Sequence, residues 1–187
     1  MQKEAVDAQS QANAAVVRGG VTQELVHLEG SYTVECHGPD GRLKWRETIE
    51  NLVTTVGKND LLDKYLGNTA AGIVRMGLCG AGTKAVGDIQ SSHAGWLEVG
   101  LANAPTYTGN RPTPSFSAAS GGSKTTSSAV SFAITSSGTV AGCFINIGGS
   151  ATKDDTTGIL YSAGDFSGGS KTVANGDTLN VTYTASV

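Results

Sequence analysis

Glycine and short polar clusters cut this chain into alternating apolar pieces, most of them too short for anything but β-strands. Ser31 to His37 alternates, with Tyr32, Val34 and Cys36 on one side. Gly38-Pro39-Asp40-Gly41 is a strong turn signal, and Arg42 to Ile49 alternates again through Leu43, Trp45, Glu47 and Ile49. The same grammar recurs late in the chain, over 129–135, 138–147, 158–161 and 177–184. Glycine makes up 26 of 187 residues, about twice the usual share, and Gly, Ser and Thr together make up 65. The glycines keep no three-residue period, which excludes collagen, and the composition excludes a helical bundle or coiled coil. Many short strands separated by Gly/Ser/Asn/Asp turns predict a mainly β chain with a β-sandwich or jelly-roll-like body.

Two segments depart from this pattern. Lys58 to Leu66 places apolar residues at 61, 62, 65 and 66, which is helical spacing, and Gly67 fits the position after a helix end. This is the one short helix expected in the body. Gly72 to Cys79 reads as a core strand, Thr83 to His93 as a stretch with a short helical turn, and Ala94 to Leu101 as another strand. Residues 1–17 are rich in Ala and Gln and hold no glycine; Arg18-Gly19-Gly20 then interrupts them. Such a segment has too small an apolar face to order itself, so it is expected to be a helical or extended arm that packs on a partner. The division is therefore an arm over 1–20 and a β-sandwich body over 21–187.

The charge is modest, with a formal net of −3, and no Lys/Arg run exists, which argues against nucleic-acid binding. No apolar stretch reaches membrane-span length, and the polar start Met1-Gln2-Lys3-Glu4 lacks the apolar core of a signal peptide. Synthesis in the cytoplasm is the expectation. Cys36, Cys79 and Cys143 form no Cys-x-x-Cys pair and have small or apolar neighbours, so they read as reduced core residues.

Catalytic patterns are weak. His27, His37 and His93 are isolated, and Cys36 and His37 would point to opposite faces of a strand, so no metal site is expected. Ser91-Ser92-His93 lacks an acid partner, and Glu47 and Glu50 would diverge rather than converge on one bond. Gly80-Ala81-Gly82-Thr83-Lys84 has a passing likeness to a phosphate loop without its spacing. Lys153-Asp154-Asp155 reads as a solvated turn, lacking the spaced acids of a cation cage. Trp45 and Trp96 read as core. No catalytic residue, cofactor or metal is expected, and the chain is read as a non-enzyme.

Several stretches carry a family likeness: Gly38 to Glu47, Asn51 to Leu66, Ser92 to Glu98, Asn110-Arg111-Pro112, Thr139 to Phe144, Thr156 to Phe166 and Asn175 to Thr184. Over about residue 31 to the end, the chain resembles small virion proteins of tailed bacteriophages, among them capsid decoration (cement) proteins. The resemblance implies a structural protein on the outer capsid surface, bound to the major capsid protein and to itself as a dimer or trimer. It implies no catalytic residue. The arm lies outside it, and composition alone nominates Gln2, Val6, Gln9, Ala12, Val16, Val17 and Arg18 as capsid contacts. The alternative is a tail- or fibre-associated protein that binds a host surface glycan, which requires aromatic stacking from residues such as Tyr107, Phe116 and Tyr161.

Overall fold

The computed structural model describes residues 28–67 and 70–187. The arm and its candidate contacts Gln2, Val6, Gln9, Ala12, Val16, Val17 and Arg18 lie outside the described residues, as does His27. The first half contains β1 (Glu29–His37), β2 (Leu43–Glu50), β3 (Leu52–Val53), α1 (Thr55–Leu66), β4 (Val74–Cys79) and β5 (Glu98–Val99). The second half contains β6 (Ser123–Thr125), β7 (Val130–Ala133), β8 (Gly138–Val140), β9 (Gly142–Ile147), β10 (Ile159–Asp165), β11 (Lys171–Val173) and β12 (Thr178–Ser186). The chain is mainly β, with one helix among the described residues, as the alternation predicts.

One sheet runs β2-β1-β12-β6, with β7 also paired to β12; the other runs β3-β10-β9-β4-β5; β8 and β11 form a separate pair. All strand pairs are antiparallel. In the first sheet the register places Tyr32 opposite both Ile49 and Tyr183, Val34 opposite Val181, and Cys36 opposite Leu179. These side chains are buried against Met76, Leu78, Cys143 and Ile145 of the second sheet. A hydrogen bond of 2.7 Å between the Tyr32 hydroxyl and Ser162 Oγ joins the two sheets through the core. Alternate residues of the first sheet, including Thr33, Glu35, Arg46, Thr48, Asn180 and Thr182, point away from that core.

The second sheet is different. Met76, Gly77, Leu78 and Cys79 are buried in succession, as are residues 142–146, so this antiparallel sheet is covered on both faces. Its outer side carries Cys79, Phe144, Leu160 and Ala163, over which Trp96 packs. Gly77 sits under the Phe144 ring, where a Cβ would lie 2.3 Å from two ring carbons. The cover is made by the segment between β4 and β5, through Trp96, and by Arg111 over Phe144, with α1 docked beside it on the β10 backbone.

Local expectations fare unevenly. The helix begins three residues earlier than its apolar spacing indicates, because Thr54 caps it: the Gly57 amide donates to Thr54 Oγ1 at 3.0 Å. Gly67 stays right-handed (φ −85°) and donates its amide to the Asp63 carbonyl. Residues 83–93 form turns and a two-residue bridge, Ile89 with Ser92, instead of a helical turn; the strand expected over 94–101 shrinks to Glu98–Val99. Both shortenings have one cause: these residues wrap over the sheet as a cover instead of joining it.

Asp177 pins the first sheet together. Its Oδ2 accepts from Lys44 Nζ at 2.6 Å, from the Ala174 amide at 2.8 Å and from Cys36 Sγ at 3.6 Å, with the side chain 1% exposed. Burial pushes its pKa up, but Lys44 and the Ala174 amide outweigh that and hold it below the ordinary aspartate value. A depressed carboxylate contributes stability above its unfolded pKa and loses it as pH falls through the folded one. Asp177→Asn is therefore expected to cost about 1–2 kcal/mol at pH 7. The difference from wild type should shrink as pH falls through the ordinary aspartate pKa and vanish only below the lower, folded one, as read by urea unfolding against pH.

All three thiols are free and buried, as expected. Burial raises Cys36 and Cys79 to about 12 and Cys143 well above the usual thiol value. None should react with a thiol reagent at pH 8 in the folded protein, and all three should react after denaturation. Rapid labelling of any one in the native state would show that its strand is not packed as described.

Candidate interaction surface over the second sheet

The outer layer is built on three anchors. The first seats the helix. Thr54 donates its hydroxyl to the Leu160 carbonyl, and its amide donates to the Tyr161 carbonyl at 3.1 Å. Gly57 lies flush on β10: a Cβ there would come within 2.4 Å of the Tyr161 carbonyl oxygen. The only other buried helix residue is Asp60, paired with Lys64 one turn on at 3.2 Å. The helix thus docks through a glycine and a salt-bridged carboxylate. Leu61, Leu62, Tyr65 and Leu66 face outward at 42%, 55%, 85% and 75% exposure.

The second anchor is Trp96. Its ring packs on Phe144 at 5.5 Å between centroids and stacks under His93 at 4.0 Å. Its indole N–H donates to Asp88 Oδ2 at 2.9 Å, and Asp88 also accepts from the Ala85 amide. Lys84 lies 5.3 Å from the centre of the Trp96 ring and donates to the carbonyls of Gly80 and Gly82 and to Asp165. The loop with a passing likeness to a phosphate cradle therefore turns its carbonyls toward its own lysine, an arrangement that repels an anion. Trp96 and His93 are spoken for structurally, and Ser91-Ser92-His93 forms part of a turn.

The third anchor is a buried ion pair. Arg111 Nε donates to Glu98 Oε1 at 2.9 Å, and Arg111 Nη2 donates to Glu98 Oε2. Both side chains are at most 4% exposed. Arg111 Nη2 also donates to the Asp155 carbonyl at 2.8 Å, and the guanidinium lies over Phe144. Glu98 Oε2 accepts from the Asp154 amide, and the Glu98 carbonyl accepts from Asn103 Nδ2, each at 2.9 Å. Burial opposes the arginine's charge, and the Glu98 carboxylate outweighs it, holding the pKa above the ordinary arginine value.

Lys153 belongs to this knot, which corrects the solvated-turn reading of Lys153-Asp154-Asp155 for the lysine alone; Asp154 is exposed and Asp155 half-buried. Lys153 is 8% exposed, donates to the Tyr107 carbonyl at 2.7 Å and lies 4.2 Å from the centre of that ring. Burial lowers its pKa, against the pull of Glu98 and Asp154. Asp154 adopts φ +62° and accepts from the Ala102 amide. Glu98 gave no signal as a lone charge between Leu97 and Val99. In retrospect, a single acid inside an apolar run, with an isolated arginine 13 residues on, is the pattern of a buried pair.

Among the described residues, no group of three or more His, Cys, Asp or Glu converges as a metal site. Glu47 pairs with Lys171 at 2.6 Å, while Glu50 lies on the opposite, exposed side of β2. Trp96 is core as expected; Trp45 is half-buried, edge-on to Phe166. Of the aromatics required for glycan stacking, Tyr107 is buried, and Phe116 and Tyr161 pack against the core.

What the outer layer presents is apolar surface. Of twelve large apolar residues exposed among the described ones, ten fall between residues 52 and 101. Beyond the four on α1 these include Ile73, Val86, Ile89, Leu97 and Leu101. No family model, curated protein or solved structure matches the chain.

The buried pair makes a sharp prediction. Arg111→Met leaves the Glu98 carboxylate buried without its partner and should cost about 3–5 kcal/mol. Combining it with Glu98→Leu should cost less than the two single changes summed, read as a double-mutant cycle in urea.

Proposed function

We propose that this chain is a structural protein of a tailed-bacteriophage virion. It decorates the outside of the head shell as a cement protein and bridges neighbouring major capsid subunits. The observation that carries this reading is the uneven distribution of exposed apolar side chains along the chain. Ten of the twelve exposed large apolar residues among the described ones fall on β3, α1 and the segments flanking β4 and β5, whereas the outward positions of the first sheet bear Thr, Asn, Glu and Arg. A block that attaches by one face and meets solvent with the other has this distribution. The resemblance of residues 31–187 to phage virion proteins supplies the setting.

In this reading Ile73, Leu97 and Leu101 contribute apolar contact to the shell, and residues 1–20 extend it through Gln2, Val6, Gln9, Ala12, Val16, Val17 and Arg18. Stable contacts of this kind bury about 1,600 Å² in total, and repetition around a closed shell adds avidity. No reaction, cofactor or nucleic acid enters the mechanism. The protein is made in the host cytoplasm and ends on the virion surface.

Copy number tests the reading. Quantitative mass spectrometry of purified particles should give about one copy, or a few tenths of a copy, per major capsid subunit. A count of roughly three to a few dozen copies per particle would place the chain in the tail, neck or fibre and end the cement reading. Deleting residues 1–20 should leave the melting temperature unchanged and abolish binding to shells; a truncated protein that still saturates shells removes the arm from the mechanism.

A further inference from the structure

The outward face of α1 is unusual for a helix on a globular body. An amphipathic helix ordinarily turns its apolar stripe to the core. Here Gly57 and Asp60 face the core, and Leu61, Leu62, Tyr65 and Leu66 face away from it. The orientation is enforced locally. Only a residue without a side chain fits against the Tyr161 carbonyl, and the Thr54 cap fixes the entry of the helix over β10. Rotating α1 to bury the leucines would break both contacts. The exposed stripe is therefore built into the docking of the helix and does not arise from a loose fit.

We infer that this stripe is a self-association surface, with α1 of one copy packing antiparallel on α1 of a second copy about a two-fold axis. Two observations select this occupant. The first is symmetry. Positions 61, 62, 65 and 66 map onto themselves when the helix is reversed about a point between 63 and 64. A two-fold axis there sets Leu61 against the second copy's Leu66, and Leu62 against its Tyr65, so each apolar side chain meets another. That is the self-complementary condition of an isologous interface.

The second is area. At the exposures given, these four side chains offer roughly 450 Å² of apolar surface per copy, within the range of the largest patches on monomers, which are often functional. Two copies, with the polar rim of each helix, reach about 1,000 Å², the lower bound for a biological interface and the size of a weak, concentration-dependent dimer.

This inference deepens the proposed function by naming the surface through which copies join, and its test needs no shell. The full chain is studied by sedimentation velocity from about 1 to 100 μM, beside Leu62→Glu and Leu66→Glu. Neither side chain belongs to the buried core, so both variants should melt with wild type. Wild type should show a concentration-dependent dimer, and each variant should weaken it about 30-fold or more. A further variant, Tyr65→Cys, reports geometry: with Leu62→Cys in the second copy it should form an intermolecular disulfide under mild oxidant.

A wild-type protein that stays monomeric at 100 μM overturns the inference, as does a dimer that both glutamate variants leave intact. A wild-type monomer that dimerises only after residues 1–20 are removed would show the arm covering α1 within one chain, and would overturn it too. Copy number on particles reads the cement proposal separately, so either can fail without the other.

Discussion

A sheet with apolar side chains on both faces has to be covered twice, and most of this architecture follows from how the second cover is made. The first face of the β3-β10-β9-β4-β5 sheet meets the partner sheet in an ordinary sandwich core. The other face, with Phe144, Leu160 and Cys79, is roofed by a run of loops, with α1 docked beside them on β10. Loops bring unpaired backbone carbonyls and amides, and burying those without partners is costly. Arg111 resolves this. Its guanidinium satisfies the Glu98 carboxylate and the Asp155 carbonyl while lying over Phe144. One side chain thereby joins the strand after the cover, the loop before β10 and the sheet beneath.

Such a pair is poor evidence of net stability, since the cost of desolvating two charges offsets most of their attraction. Its value here is in position. A bidentate arginine has one good geometry, so the 98–111 and 150–157 segments are held in one arrangement. Lys153 over Tyr107 and Lys84 beside Trp96 repeat the device at smaller scale: an ammonium ties loop carbonyls down over an aromatic ring. The result is a stiff roof whose polar groups point inward and whose large apolar side chains are left outside. The roof's inward polarity and its outward leucines are two sides of one solution, and the outward side is what an assembly surface requires.

Much of the first sheet was legible in the residues. Tyr32, Val34 and Cys36 alternate toward the core because a strand's period is two, and Gly38 to Gly41 could only be a turn. The burial of all three cysteines followed from their small, apolar surroundings. The helix was legible in its existence but not in its rotation. The spacing of Leu61, Leu62, Tyr65 and Leu66 marks a helix and one of its faces; it does not state whether that face meets the core or solvent. Nor was the collapse of the expected 94–101 strand to two residues foreseeable, since a cover segment and a core strand carry the same apolar residues.

Local sequence determined the mainly β character, the turn after β1 and the existence of α1, because each depends on neighbours a few residues apart. Tertiary structure alone decided that the second sheet is buried twice, that Glu98 and Arg111 meet, that Lys153 is a buried anchor and that α1 turns its leucines outward. Those outcomes depend on contacts between segments that are not sequence neighbours, where Gly57 meets Tyr161 and Arg111 meets the 150–155 loop. No local pattern encodes them, because the free energy that selects them arises only when the segments are already side by side.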